Sequence, residues 1–536
     1  MKKTIENLVK QALLSVGAPD TKFTVEHPTN LAFGDYSTNA GIVSKKAEEI
    51  LEYINTNLPE GVEKAEIKSG FINFYLTKEF FKKSVGEIIK EGENFGRNEN
   101  LKGQKTIVEY TDPNPFKEFH IGHFMSNAIG ESIARIFEWN GAEVKRACYQ
   151  GDVGMHVAKA VWGMMRGEEN AYASGSKAFE ENEEAKQEII EINKKIYSKD
   201  SSVLDLYTKG RRESLDEFEK IYQRLDTKFD FNFFESETAE FGKQIVEENT
   251  PKVFEKGDGG AIIFNAEKFD KHLHTRVFIN SEGLPTYEAK ELGLAKIKFE
   301  KYPYDKSVVV TANEINDYFK VLLCALGQIY PELAEKTKHI SHGIMKLPTG
   351  KMSSRTGDVI TAEALIEDVR EKVKGNEAVA IGAIKYMILR QSIGNDIIFD
   401  LEKSVSTEGD SGVYLQYAYA RTTSLLEKAK NQGVSLDKTG DNTNQGISLE
   451  NRETHEVEKL LYRFPEIVER AGIDFSPNIL VTYLTELAGS FNNFYAHEQV
   501  INDSPESPYR IAVVEAFRTV IKNGLNILGI PAPERM

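Results

Sequence analysis

KTIVEYTDPNPFKEFHIGHFMSNAIGESIARIFEWNGAEVKRACYQGD, residues 105–152, sets two short apolar runs on either side of one long helical stretch. KTIVEY (105–110) has the composition of a buried strand. In FMSNAIGESIARIFEWNG the apolar residues recur at three and four, and Gly141 closes the helix. AEVKRACYQGD supplies the second strand, which completes a βαβ unit of a parallel α/β sheet. The turn between first strand and helix carries Pro113, Pro115 and then His120, Gly122 and His123. In a doubly wound sheet that turn stands at the carboxyl ends of the strands, where ligands bind. A helix start offers unpaired N–H groups and the positive end of the dipole, which suits phosphate. Gly122 lets a flat base or a phosphate approach the backbone. The two histidines either cap the helix or add donors that strengthen as charge builds on a phosphoryl group in flight.

Working outward, 536 residues imply two to four domains. Residues 1–98 form a small α+β unit, with an amphipathic helix ending at Gly17, a helix over NAGIVSKKAEEILEYINTNL and a strand pair in AEIKSGFINFYL. The charged EGENFGRNENLKGQ is its exit linker. Residues 99–400 are a Rossmann-type α/β domain, interrupted between about 165 and 275 by an inserted helical segment. Residues 401–536 read as an all-helical bundle broken by one polar loop, NQGVSLDKTGDNTNQGIS.

A net charge of −16 argues against a blanket electrostatic grip on polyanions. A local basic groove still can bind RNA, because exposed charges are screened beyond about 8 Å. Cys148 and Cys324 alone provide neither a disulfide framework nor a thiolate zinc site, which fits a reducing cytoplasm. The amino terminus lacks a signal-peptide pattern, and no apolar run approaches the ~20 residues of a membrane span. Neither DNA nor a membrane is an expected partner, and we expect a monomer.

A second element, GKMSSRTGD at 350–358, places Lys351, two serines and Arg355 in a glycine-flanked loop. A lysine there suits displacement at an α-phosphate, where departing pyrophosphate carries the new charge. The two elements together resemble the HIGH and KMSKS signatures of class I aminoacyl-tRNA synthetases. His120, Ile121, Gly122 and His123 match the first; Lys351, Met352 and Ser353 match the second, from which Ser354 and Arg355 depart. VEYTDPNPFKEFHIGH, GDVG at 151, YLQYAYAR at 414, FNNFYAHEQV at 491 and LGIPAPERM at the end are similar to arginyl-tRNA synthetases. FGDYSTN and GFINFYL resemble that family's extra domain for the tRNA elbow.

The resemblance implies an ATP-dependent ligase that joins L-arginine to tRNA(Arg) with Mg²⁺ present. It implies a guanidinium held by Glu109, Tyr287 and Glu291, with Asn114 and Glu314 near the α-amino and carboxylate end. A carboxylate socket suits the planar, permanently charged guanidinium. Tyr287 and Glu291 lie four apart, on one helix face. The family usually shows aspartate at the position of Glu291 and glutamine at that of Glu314, so Glu291 is either a ligand or a solvated glutamate, and Glu314 either meets the amino group or faces solvent. ATP is expected on Gly122, His120, His123, Met352, Ser353 and Lys351. Lys117 either assists the phosphates or faces solvent.

In the helical tail, Tyr414, Tyr417, Tyr419, Arg421, Lys428, Lys430, Phe494 and Tyr495 are candidates for anticodon bases, which bind by stacking. Most of these rings are expected in the core, leaving a minority, Tyr414, Tyr417, Arg421 and Tyr495 among them, to meet RNA. The rival readings are a class I synthetase of other specificity and a tRNA-binding paralogue without catalysis.

Overall fold

The computed structural model describes residues 1–346, 360–434 and 453–536. At the amino end, β1 (Val25–Glu26), β2 (Tyr36–Thr38), β3 (Val62–Lys68) and β4 (Phe71–Leu76) form an antiparallel sheet in the order β1-β2-β4-β3. Ser69 and Gly70 join β3 to β4 with φ of 52° and 85°, the left-handed pair that a tight two-residue hairpin demands. Helices Lys2–Ser15 and Ala47–Thr56 bury Ile5, Val9, Ile50 and Ile54 with this sheet in a core of its own. The expected second helix is broken at Lys45, which takes φ 59°.

The segment after this unit is not a linker. Helix Lys78–Glu91 buries Val85 and Ile88 in the large core of the molecule. Phe95 stacks on Phe464, the Arg97 guanidinium lies 4.5 Å over the Trp139 ring, and the Asn98 N–H donates to the Trp139 carbonyl. Three contact residues spaced among charged ones leave no period, so composition alone suggests solvent.

The second sheet contains β5 (Lys105–Glu109), β6 (Glu143–Gln150) and β7 (Phe231–Phe234). A small antiparallel sheet of β8 (Glu255–Lys256), β9 (Ile262–Phe264) and β10 (Arg276–Ile279) follows. The chain then returns through β11 (Lys306–Ala312) and β12 (Thr337–His342). The large sheet is parallel, in the order β12-β11-β5-β6-β7. From β5 the chain moves outward to β7, then crosses to the other side, so the order reverses between β5 and β11. That reversal opens a crevice at their carboxyl ends.

The expected insertion over 165–275 is helical only in part. Helices Ala171–Glu181, Glu183–Tyr197, Ser201–Arg224 and Glu235–Glu248 lie in it, but FNFF at 231–234 is the edge strand of the main sheet and residues 255–279 are three short strands joined by turns and loops. Strands of two to four residues lack the length for a period to show.

Helix Ile121–Trp139 covers one face of the sheet and joins the large core with helices Glu377–Leu389, Gly412–Asn431, Pro477–His497 and Ser507–Ile527. Every residue from Val379 to Leu389 is buried, so the core runs without a break across residue 400. Most of the polar loop expected in the tail lies outside the described residues. Among the described residues, no helix is long and apolar enough to cross a membrane.

Candidate active site

Between β5 and the helix that follows, three residues other than glycine take left-handed backbone: Thr111 (φ 81°), Asp112 (46°) and Phe116 (69°). Such residues cost about 1–3 kcal/mol each and persist only where neighbours dictate them. The neighbours are identifiable. The Thr111 N–H donates to Ser126 Oγ at 2.9 Å, and that hydroxyl donates to the Val310 carbonyl of β11. Asp112 Oδ1 accepts the Tyr149 N–H at 2.7 Å, and Asn114 Oδ1 accepts the Gly151 N–H at 3.2 Å. Gly151 is required there, because a Cβ would stand 2.3 Å from Asn114 Oδ1.

His120 is the N-cap of helix Ile121–Trp139. Its Nδ1 accepts the Gly122 N–H at 3.1 Å, while its own N–H donates to His123 Nδ1 at 3.2 Å. The rings stack with centroids 3.6 Å apart. The two readings of this pair are therefore compatible. Each Nδ1 is an acceptor of a backbone N–H, so a neutral ring carries its proton on Nε2 and has a donor to offer there. Burial, with Lys117 nearby, lowers His120; burial, then His120 and Lys117, holds His123 well below the ordinary histidine value. Both rings are thereby biased toward the neutral form.

The Ile121 N–H donates to the Ile360 carbonyl at 3.1 Å, and the Ala362 N–H to the Phe119 carbonyl at 2.9 Å. The chain that follows the second signature is thus tied to the start of the first. Lys351, Met352 and Ser353 lie outside the described residues. Lys117 is half-buried, its ammonium 5.2 Å from the Tyr172 ring centre.

Beside this helix start lies an acidic socket. Glu109, 2% exposed at the end of β5, bonds Lys298 Nζ through Oε2 at 2.7 Å. Burial alone would lower that ammonium, but the Glu109 charge carries it above the usual lysine value. Burial, then the charge of Glu109, pushes Glu291 up to about 8 and Asp112 well above the usual aspartate range. Three carboxyl groups thus share one ammonium. Glu291 is half-buried, not solvated. Tyr287 stands at the mouth, 55% exposed, with Lys290 Nζ 4.5 Å from its ring centre and paired with buried Glu235. Glu314 is exposed on the turn Asn313–Ile315 beyond β11, which is its solvent-facing alternative.

Sequence reasoning missed Lys298 and Asp112. A signal for Lys298 existed: it lies seven residues after Glu291 and eleven after Tyr287, on the same helical face. Nothing in the sequence marks Asp112, whose place depends on its left-handed backbone.

In the bundle, Tyr419 and Phe494 are buried while Tyr417 and Tyr495 are 40% and 38% exposed. The Arg421 guanidinium lies between the exposed pair, 4.8 and 5.2 Å from their centres, and bonds Asn492 Oδ1 at 2.9 Å. Tyr414 is half-buried, accepting from Asn492 Nδ2; Lys428 and Lys430 are exposed near the end of their helix.

Three family models match the chain. One described as tRNA synthetases class I (R), catalytic domain, covers residues 84–401; a DALR anticodon binding domain covers 415–536, and an arginyl tRNA synthetase N terminal domain covers 3–76. The chain is 30% identical to an arginine–tRNA ligase of Treponema denticola and 29% identical to one of Ligilactobacillus salivarius, with all of each chain covered. Among solved structures, an arginyl-tRNA synthetase of Thermus thermophilus shares the fold over the whole of both chains, with a TM-score of 0.78 at 24% identity.

Proposed function

The chain belongs to the arginyl-tRNA synthetase family, and from that premise we propose how its cleft activates L-arginine with ATP and passes it to the terminal adenosine of tRNA(Arg). The observation that carries the reading is the socket whose carboxyl groups outnumber its cations, beside a pair of stacked imidazoles at a helix start. A guanidinium supplies the missing charge. It lies against Glu291 and Asp112, with Glu109 offering Oε1 beside the Lys298 pair, and Tyr287 closes the mouth. Asn114 meets the α-amino end, and Glu314 forms the outer rim.

The arginine carboxylate attacks the α-phosphorus of ATP; a P–O bond forms, the bond to pyrophosphate breaks, and the adenylate remains. His120 and His123 donate Nε2–H to oxygens whose charge grows in flight, where a preorganised dipole counts most. Gly122, Met352 and Ser353 line the nucleotide, and Lys117 and Lys351 offset the leaving charge. Imidazoles and amines are poor partners for a hard cation, so Mg²⁺ is best held by the phosphate oxygens, whose charge it offsets. The terminal adenosine hydroxyl of tRNA then displaces AMP from the adenylate. Tyr417, Arg421 and Tyr495 form a stacking platform for single-stranded bases, with Tyr414 behind it. Every described group of the site comes from one chain, which suits a monomer, and both cysteines being free suits the cytoplasm.

The test is arginine-dependent exchange of pyrophosphate into ATP with tRNA(Arg) present, and charging of unfractionated tRNA with arginine alone. Charging with another amino acid, or tRNA binding with no adenylate formed, would overturn the reading.

A pH dependence follows. Glu291 is protonated in the empty socket below about pH 8, whereas a guanidinium prefers the ionised form. Arginine binding at pH 7 therefore releases a proton and tightens as pH rises, by up to about tenfold per unit, before levelling above pH 8. Calorimetry in buffers of different ionisation enthalpy measures the release; an affinity independent of pH from 6 to 8 would remove Glu291 from contact.

A further inference from the structure

Helix Ser201–Arg224 of the insertion turns one face, at positions 207, 210, 211 and 214, toward the strained loop and its surroundings. The Phe116 N–H donates to Ser214 Oγ at 2.9 Å, and that hydroxyl donates to the Gly210 carbonyl. The Phe116 ring stacks on Tyr207, with centroids 6.1 Å apart and planes 25° apart. Gly210 makes room for it: a Cβ there would stand 2.4 Å from Phe116 Cε1.

The same face is fixed to the sheet by Asp152, which is fully buried. Its Oδ2 accepts Arg211 Nε at 2.8 Å and the Tyr207 hydroxyl at 3.3 Å, and the carboxylate also takes the N–H and hydroxyl of Ser236. Arg211 further lies 4.0 Å over the Phe234 ring at the end of β7. One end of this set of contacts is therefore anchored on the sheet, and the other end grips a residue with φ 69°.

We propose that helix Ser201–Arg224 is a clamp that imposes the left-handed conformation at Phe116, so that Gly210 and Ser214 are positioning residues for adenylate formation. The proposal rests on the reading of the cleft given above. Phe116 stands between Asn114, which meets the substrate, and Lys117, which meets the phosphates. With two groups of the site on either side of it, a shift of about 1 Å at Phe116 displaces both, and misplacement of that size can cost about 10²-fold in rate.

Gly210→Ala tests this, because alanine is the better helix former and what opposes the change is the packing of the new methyl against Phe116 and Met164. The kcat for arginine-dependent pyrophosphate exchange should fall about 10- to 100-fold. The KM for arginine and ATP should move less than about threefold; because the new methyl also meets Met164 Sδ, 3.0 Å away, the melting temperature should fall by no more than a few degrees. Removing the obstructed ring should cancel the effect: in a Phe116→Ala background, Gly210→Ala should cost nothing further. Equal losses in both backgrounds, or an unchanged kcat, would overturn the clamp.

Hydrogen exchange gives a readout that does not depend on activity. The Phe116 amide should be protected in the wild-type chain and exchange at least tenfold faster in Ser214→Ala; equal rates would overturn the proposal. If the wild-type chain showed no arginine-dependent exchange while this protection held, the assignment of the cleft would fail and the clamp would stand.

Discussion

Replacing Glu109 by glutamine should cost about 3 kcal/mol of folding stability and at the same time weaken arginine binding. Both effects come from one geometry. Lys298 is 5% exposed in its side chain and bonds Glu109 at 2.7 Å, so Glu109→Gln takes away the carboxylate that bonds this buried ammonium and leaves only Glu291 and Asp112 to ionise in its place. Breaking a buried pair by removing one partner is far more damaging than never having had it. The pair also engages only Oε2, so the same substitution takes from the socket the oxygen that a guanidinium would use. The double variant Glu109→Gln/Lys298→Met separates the two effects. Chemical denaturation should show most of the stability restored, because no orphaned charge remains, while arginine affinity stays low. An unchanged midpoint in Glu109→Gln would mean that the ion pair contributes nothing, and unchanged affinity would remove Glu109 from the ligand.

His123→Ala should lower the rate of adenylate formation by about 10²–10³ while changing the affinity for arginine little. The imidazole is asked to act as charge develops on phosphate, not when the amino acid binds. A complication is that His123 also accepts the His120 N–H, so the substitution removes half of a helix cap, worth about 1 kcal/mol. His123→Asn resolves this. An asparagine oxygen can take that N–H and restore the cap, yet it offers no Nε2–H; stability should recover and the rate should not. Recovery of both would assign the histidine to capping alone. Because burial lowers both rings, any imidazole titration seen in kcat should lie below the ordinary histidine value.

The βαβ unit was legible because its helix is long enough to show a period and its strands are bounded by turns. The hairpin at Ser69–Gly70 was legible for the same reason, with turn chemistry added. β7 was not: four residues next to a long polar helix carry no alternation, and their membership of the sheet is decided by pairing with β6. The site divides in the same way. His120 and His123 follow from their place at a helix mouth, and the Tyr287–Glu291 face follows from spacing by four. Lys298 shares that face but reads as one more basic residue near a helix end, until β5 brings Glu109 against it. Asp112 reads as an ordinary turn residue, and only the hydrogen bond from Tyr149 of β6, with Ser126 of the signature helix holding the neighbouring Thr111, fixes it in the socket. Contacts between distant segments carry the information that sequence spacing lacks.

Helix Glu377–Leu389 has a consequence for how the molecule holds together. It presents apolar side chains on every side, and its one basic residue within the buried stretch, Lys385, donates to the carbonyls of both Leu225 and Gly529, each at 2.7 Å. A helix buried all round belongs to neither neighbour and to both. The part that would meet the anticodon is therefore no detachable module: excising it would strip the central helix bare, and disturbance on either side is felt as a loss of shared cohesion by the whole.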